Sequence, residues 1–580
     1  MANFFLDNED IQFLFDHIDM KGLAEIQELE TPNGDNAEYL PLDAEDMVDN
    51  YRRILEVIGE ISGDTIAPSA EQVDAEGNTL NDDGTVTLHP LVQRNLDRMT
   101  QADLMGATLP RKYGGLNCPN TIYTMAVDMV SRADASFMNM FGLQGIAETI
   151  YAFATDEIKD DILPRFAEGK VTGAMVLTEP DAGSDLQAVR LRAYQDDEGV
   201  WRLNGVKRFI TNGCGEILLV LARTEPDVDD GRGLSLLVCE RDPTVRVRHL
   251  EDKLGIHGSP TCELVFNDTK ARLIGERQRG LIKYVIALMN GARIGIAGQS
   301  LGIGEAAYRL ARSYANSREQ FGLPIERIPA VAQLVTEMKV EVEAARALTY
   351  MTAGYCDQEN NNTRILEWSD ISPEEKKVRT KRARELKRLN AMLTPMSKMV
   401  GSEMCIDVAN KGVQVLGGSG FIKDYPAERY LRDSRITSIY EGTTQLQVVA
   451  AIKGVTSGIF STFVAKYEEA TYEDPAMEAL KAELITAKAS IAEAVTFAKS
   501  KGGSYMDLSA RRLVESAVYV LTGHLFLKQS TDCDRKKNVA KFYIEHKLPE
   551  LRKNLDMIHG GNDQPFSEYA LIAGPVPTLD

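Results

Sequence analysis

Metal and disulfide chemistry have little to work with in this sequence. Its seven cysteines (Cys118, Cys214, Cys239, Cys262, Cys356, Cys405 and Cys533) are scattered over 580 residues, with no CxxC pair and no Cys/His cluster. That argues for a reducing compartment and against a zinc or iron–sulfur site. The seven histidines show no ligand spacing, so no metal is expected. Cations are outnumbered, with 65 Lys and Arg against 86 Asp and Glu and a net charge of −21. A nucleic-acid partner is disfavoured, because neutralising phosphates takes clustered Lys and Arg. No run approaches the roughly 18 apolar residues of a spanning helix, so no integral membrane segment is expected. The start, MANFFLDNEDIQFLF, has no basic region and carries acids where a signal peptide would be apolar. A cytoplasmic protein is the expectation.

What is present is the composition of a soluble globular protein, 44% hydrophobic and 26% charged. The chain is too long for one core, so several packed units are expected. Residues 1–42 read as an acidic leader with a short helix around Glu9 to His17, then a polar loop. From 43 to 170 the period is helical, with Met47, Tyr51, Ile54, Leu55 and Ile58 at three- and four-residue spacing. Ala133 to Ala154 reads as one helix, apolar around much of its circumference, either core or the wall of a ligand pocket. Between 171 and 280 the period shortens to β runs (Gly173–Leu177, Trp201–Leu203, Ile217–Ala222, Leu234–Val238, Glu263–Phe266), which suggests an antiparallel sheet. Asn204-Gly205 is a hairpin-turn signal. Long helices return over 281–456, and 457–580 reads as a further helical unit.

Three stretches carry chemistry. In Gly412 to Gln445, a glycine-rich turn (Gly417-Gly418-Ser419-Gly420) precedes Tyr440-Glu441-Gly442-Thr443-Thr444-Gln445. A carboxylate beside a glycine, followed by Thr and Gln donors, suits a general base next to a polar cofactor. Val176 to Asp185 ends a strand in a turn of hydroxyls and backbone donors. Leu203 to Gly213 places Phe209 and Thr211 at the end of another run. Two patterns are set aside. Gly302-Ile303-Gly304-Glu305-Ala306-Ala307 fits a dinucleotide pattern but lies in a helical run with no preceding strand. Lys376 to Arg388 is a basic helix, read as a solvated face.

The stretch from Gln414 through Tyr425-Pro426 and Arg432-Asp433 to Ile439–Gln445 resembles the C-terminal signature of the flavin-dependent acyl-CoA dehydrogenases. Thr178-Glu179-Pro180-Asp181-Ala182-Gly183-Ser184-Asp185 resembles the family's T-E-P-x-A-G-S-D loop, with Asp181 for the usual Gly. Leu203 to Gly213 resembles L-N-G-x-K-x-W-I-T-N-G, with Phe209 for Trp. Arg318-Glu319-Gln320-Phe321-Gly322 resembles R-x-x-F-G; the Phe-Gln pair expected after it is replaced by Ile328-Pro329. The resemblance covers about Asp43 to about Ile452, and the leader and C-terminal unit look like the long branch of 3-methylmercaptopropionyl-CoA dehydrogenases.

The resemblance implies an α+β, mostly α fold: an N-terminal helical domain, a middle β domain, a four-helix bundle and an extra C-terminal helical domain. It implies FAD, held by Leu177, Thr178, Ser184, Phe209 and Thr211. Arg318, Phe321, Gln414, Gly417 and Gly418 would reach a flavin held mainly by a neighbouring subunit, with Thr443 and Gln445 adding contacts. It implies an acyl-CoA substrate near Ser184, Asn290, Arg293, Tyr440 and Gly442. Glu441 would be the base, since the family's alternative position is Ala292 here. The implied reaction is α,β-dehydrogenation, electrons passing to electron-transferring flavoprotein. The implied assembly is a homodimer, or a tetramer if the C-terminal unit leaves that surface free. The rival readings are altered acyl-CoA chemistry on the same fold (a desulfinase, or a decarboxylating or 1,4-dehydrogenating enzyme) and a flavin-bearing nucleic-acid binder, for which residues 457–580 lack a basic block.

Overall fold

The computed structural model describes residues 2–30 and 40–578; part of the leader's expected polar loop lies outside the described residues. Helix α1 (Glu9–His17) starts where Asn8 accepts from the Asp10 and Ile11 amides, satisfying first-turn donors that have no partner within the helix. Helix α2 (Ala44–Glu60) is capped by Asp43 and buries Met47, Tyr51, Leu55 and Ile58, the stripe its spacing sets. Helix α3 (Asn120–Ala133) is buried over most of its surface. The single helix expected from Ala133 to Ala154 is broken instead into α4 (Ala135–Gly142), a 3-10 turn (Leu143–Gly145) and α5 (Ile146–Phe153). Asp134 caps α4, and Gly142 and Gly145, weak helix formers, flank the break.

The strands are β1 (Gly173–Val176), β2 (Arg192–Gln195), β3 (Trp201–Thr211), β4 (Ile217–Arg223), β5 (Leu234–Glu240), β6 (Val245–Leu250) and β7 (Thr261–Ile274). Pairing runs β1-β4-β2-β3-β7-β5, and β5 returns to β4, so five strands close on themselves with β1 and β6 at the flanks. The sheet is mixed, not antiparallel as expected: β1 and β2 both run parallel to β4. The segments between these strands are long enough to cross over, which a parallel pair requires. Asn204-Gly205 is no hairpin turn. Gly205 sits inside β3 at a register shift, with φ +143°, and a Cβ there would lie 3.2 Å from the Leu191 backbone. Its missing side chain serves a bulge, and the chain reverses instead at Asp196–Val200.

The bundle holds α6 (Ile286–Ser317), α7 (Pro329–Trp368), α8 (Pro373–Leu416), α9 (Ala427–Ser434) and α10 (Thr444–Thr456). A π-helical stretch, Gly280–Val285, leads into α6, and Asn290 lies in the second turn of that helix. The Gly302–Ala307 pattern is a packing device: a Cβ at Gly302 would sit 2.3 Å from the Asp128 carbonyl of α3, and one at Gly304 2.9 Å from Met404 Sδ of α8. Within Gly280–Ser317 one 18-residue window reaches a mean hydropathy of 1.3, enough in length and apolarity to cross a membrane; the run's small residues give it close contact with α3 and α8. The basic stretch opens α8 under a Ser372 cap, with Lys376, Lys377, Lys381, Arg384, Lys387 and Arg388 exposed.

Helices α11 (Ile459–Glu468), α12 (Pro475–Ser500), α13 (Gly503–Gln529) and α14 (Asp534–His559) share one core with Leu348, Met396 and Val448 of the bundle. Charges join the two ends of the chain. Buried Arg346 of α7 donates to Asp10 (2.8 Å), Asp128 (2.9 Å) and Glu305 (3.0 Å). Buried Lys536 of α14 donates to Asp10 (2.5 Å) and Glu343 (2.7 Å).

Candidate active site

Glu441 lies between a 3-10 turn (Arg435–Ser438) and α10. Its φ of +55° is sparsely populated for a side chain with a Cβ, and such backbone persists where its surroundings over-determine it. The restraints are visible. Gln447 Nε2 donates to the Glu441 carbonyl (3.3 Å) and the Gly442 carbonyl (2.8 Å), and Lys398 Nζ donates to the Gly442 carbonyl (2.8 Å). Thr443 caps α10 through the Leu446 amide. Gly442 itself has φ +90°, and a Cβ there would meet Gln447 Nε2 at 2.8 Å. Gly442→Ala is therefore expected to lower stability by about 1–3 kcal/mol; thermal unfolding checks this.

Burial pushes the Glu441 carboxyl up to about 7, against the pull of Lys398 and Arg293. Burial lowers Lys398 to about 8, with Glu441 opposing. Arg293 donates to Asn290 (3.2 Å), and its Nε is buried without a partner among the described residues. Among the described residues nothing accepts from the Glu441 amide. Tyr440 donates to Gln299 and to Asn139 (3.3 Å). From Asn139 a polar path runs to Ser259 (3.4 Å), and the adjoining Pro260 carbonyl accepts from the Asn212 amide (2.7 Å). The base segment is thereby tied to the strand end that carries Thr211.

On the sheet side, buried Lys207 donates to the Leu177 carbonyl (2.7 Å) and pairs with Glu179 (3.0 Å). Glu179 accepts from the Arg190 and Leu191 amides (2.8 and 2.9 Å). The Thr178 carbonyl accepts from the Arg208 amide. Loop and strand are stitched together, although Lys207 and Glu179 were not among the expected site residues. Phe209 stands 53% exposed with φ +60°, the Arg208 guanidinium 4.8 Å from its ring centroid. The Thr178 and Thr211 hydroxyls hydrogen-bond to nothing among the described residues, and Ser184 is exposed. An open aromatic face flanked by free hydroxyls fits the planar, polar-edged ring system of FAD.

A second group gathers elsewhere. Arg318 and Phe321 occupy a small hairpin after α6, Phe321 with φ +55° and 91% exposed. Gln414 lies in the last turn of α8, and no atom lies within 4 Å of a Cβ built on Gly417 or Gly418. The glycine-rich turn is a helix C-cap at Gly417 (φ +60°) followed by one helical turn, Gly418–Phe421. Tyr314 joins hairpin and turn through Ser419 (3.3 Å) and Tyr425. Arg293 and Arg318 both lie on or at the end of α6, about 37 Å apart at 1.5 Å per residue. The structure thus brings Arg318, Phe321, Gln414, Gly417 and Gly418 to one another and not to Glu441 of the same chain. Gln445 is exposed on α10.

Family profiles match along nearly the whole chain: acyl-CoA dehydrogenase N-terminal domain over 49–170, middle domain over 174–269, C-terminal domain over 279–372 and 375–455, and acyl-CoA dehydrogenase C terminal over 456–562. The 3-methylmercaptopropionyl-CoA dehydrogenase of Ruegeria pomeroyi is 33% identical over 427 residues, 69% of each chain. Butyryl-CoA dehydrogenase from Megasphaera elsdenii superposes with a TM-score of 0.60 at 30% identity, over 70% of this chain and 98% of that one. Acyl-CoA dehydrogenase complexed with FAD from Bacillus anthracis shares the fold over 95% of both chains, with a TM-score of 0.75 at 22% identity. Fold, site and matches define a flavoprotein oxidoreductase that acts on CH–CH groups with FAD. The chain belongs to the acyl-CoA dehydrogenase family, in a long form with an extra C-terminal domain.

Proposed function

We propose that this protein oxidises an acyl-CoA thioester to the 2,3-enoyl-CoA, with Glu441 removing the α-proton. The observation that carries this is a partly buried carboxyl that desolvation raises to about 7 against the pull of Lys398 and Arg293, on a residue whose backbone amide meets no acceptor among the described residues. A general base works best with a pKa near the ambient pH, where it is largely deprotonated yet still basic. As the α-proton leaves, charge builds on the thioester oxygen, and the Glu441 N–H is a fixed donor for it. FAD, held by Leu177, Thr178, Ser184, Phe209 and Thr211, supplies the acceptor for the β-hydride. Asn290, Arg293, Tyr440 and Gly442 line the substrate side. Electrons leave to electron-transferring flavoprotein; the Gly302–Ala307 pattern, spent on helix packing, offers no nicotinamide site. Seven free thiols accord with a cytoplasmic enzyme.

The test is anaerobic stopped-flow reduction by acyl-CoA against pH. The rate should rise with pH through about 7 as Glu441 loses its proton. Removing the Lys398 cation in Lys398→Met takes away a group that holds this pKa down, so the rise should move to higher pH. A rate flat across this range would contradict the assignment.

Arg318, Phe321, Gln414, Gly417 and Gly418 serve the cofactor of a partner copy, so the working unit is a homodimer. Co-expressing Glu441→Gln and Arg318→Ala chains should then restore activity that neither variant shows alone, because one site of each hybrid carries both intact residues. Absence of restoration would place both residues at one chain's site.

A further inference from the structure

Gln144 is 6% exposed, and neither its Nε2 nor its Oε1 has a hydrogen-bond partner among the described residues. Such an amide is costly unless a ligand or water completes it. It sits in the 3-10 turn Leu143–Gly145, which packs between β1 and α6. These elements lead to the two halves of the site: β1 runs into Leu177 and Thr178, and α6 carries Arg293. Just before the turn, Asn139 meets Tyr440; just after it, Ile146 Cδ1 fills the space a Gly173 side chain would take. One helical turn further, Glu148 is partly buried; burial raises its carboxyl pKa despite the Thr108 hydroxyl and Arg364. The helices on either side of the turn bury apolar residues, Phe137, Met138, Met140 and Phe141 on α4 and Ile146 and Ile150 on α5. A buried amide with both atoms unpaired among the described residues, one helical turn before a partly buried carboxyl, is matched by a ligand group that both donates and accepts.

We propose that Gln144, seconded by Glu148, is a specificity-determining residue that selects acyl-CoA esters whose chain carries a hydroxyl-like group remote from the thioester, over alkyl chains of equal length. The inference rests on the dehydrogenase reading above. An alkyl terminus would leave both amide atoms unpaired, and sites built to hydrogen-bond a hydroxyl reject the analogue that lacks it.

The experiment is calorimetric binding to FAD-loaded Glu441→Gln protein, which needs no turnover. The probes are ω-hydroxyacyl-CoAs of short and medium length, each paired with the alkyl-CoA of equal heavy-atom count. The hydroxy ester should bind about tenfold or more tightly at the length that reaches the turn, and Gln144→Met, similar in volume, should abolish that preference. Glu148→Leu should reduce it, and serves alone if Gln144→Met fails to fold. Alkyl esters binding at least as well at every length, or a preference unchanged in both variants, overturns the proposal and leaves the amide to water. The two readings fail separately. A Glu441→Gln protein still reduced at full rate contradicts the base assignment without altering the binding ratio; a protein that binds neither series contradicts both.

Discussion

Glu441→Gln is expected to leave the protein folded and yellow with bound FAD, while anaerobic flavin reduction by its acyl-CoA slows by about 10³-fold or more, the usual contribution of a positioned base. The substitution keeps the side chain's size and the strained backbone, so FAD content and thermal unfolding should stay near those of the parent. Only the lone pair that takes the α-proton is lost. The buried charges change as well: without the carboxylate, Lys398 and Arg293 face each other unopposed, and Lys398, whose pKa Glu441 now raises, should deprotonate more readily. Glu441→Asp should recover part of the rate, limited by reach. Stopped-flow absorbance with matched FAD occupancy reads all of this, and reduction at the parent rate would remove Glu441 from the chemistry.

Arg346→Met should cost about 3–5 kcal/mol of stability, because it removes from a buried network the guanidinium that three carboxylates share, and with it the cation that hydrogen-bonds Asp128. Burial opposes the charge on Asp10, yet Lys536 and Arg346 hold its carboxyl well below the ordinary range. Glu305 is held low in the same way, by Arg346, Lys339 and Arg309 against its burial. Asp128 is pushed up by burial, only partly offset by Arg346. For the two lowered groups, the stabilisation is fully present above the unfolded carboxylate pKa of about 4 and drains away as pH falls below it. The penalty of Arg346→Met should therefore be largest near neutrality and shrink in acid. Denaturant titrations at several pH values check this; a variant as stable as the parent at neutral pH would show that the network contributes nothing net.

Much of this fold is legible in the sequence because it is local. Asn8 and Asp43 mark helix starts, Met47 to Ile58 mark one buried stripe, and the strand cores from Ile217 to Ala222 and from Leu234 to Val238 lie where their apolar runs place them. What escaped is set by partners far along the chain. Asn204-Gly205 carries a strong turn signal, but the Leu191 backbone across the sheet makes it a bulge. The parallel pairing of β1 with β4 joins residues too distant for any local pattern to register. Lys207 and Arg346 are buried and paired with carboxylates from other elements, which no local pattern registers. At the site, the motifs pointed to Glu441 and its glycine, while Lys398 and Gln447, which hold the strained backbone, sit on separate helices and gave no signal of their own.

The account's central claim is tested most directly by titrating the purified FAD-loaded protein anaerobically with a panel of acyl-CoAs and analysing the products. Stoichiometric bleaching of the visible flavin band by one class of chain, with the 2,3-enoyl-CoA formed in equal amount, is the predicted result. A yellow protein that no saturated acyl-CoA bleaches would contradict it.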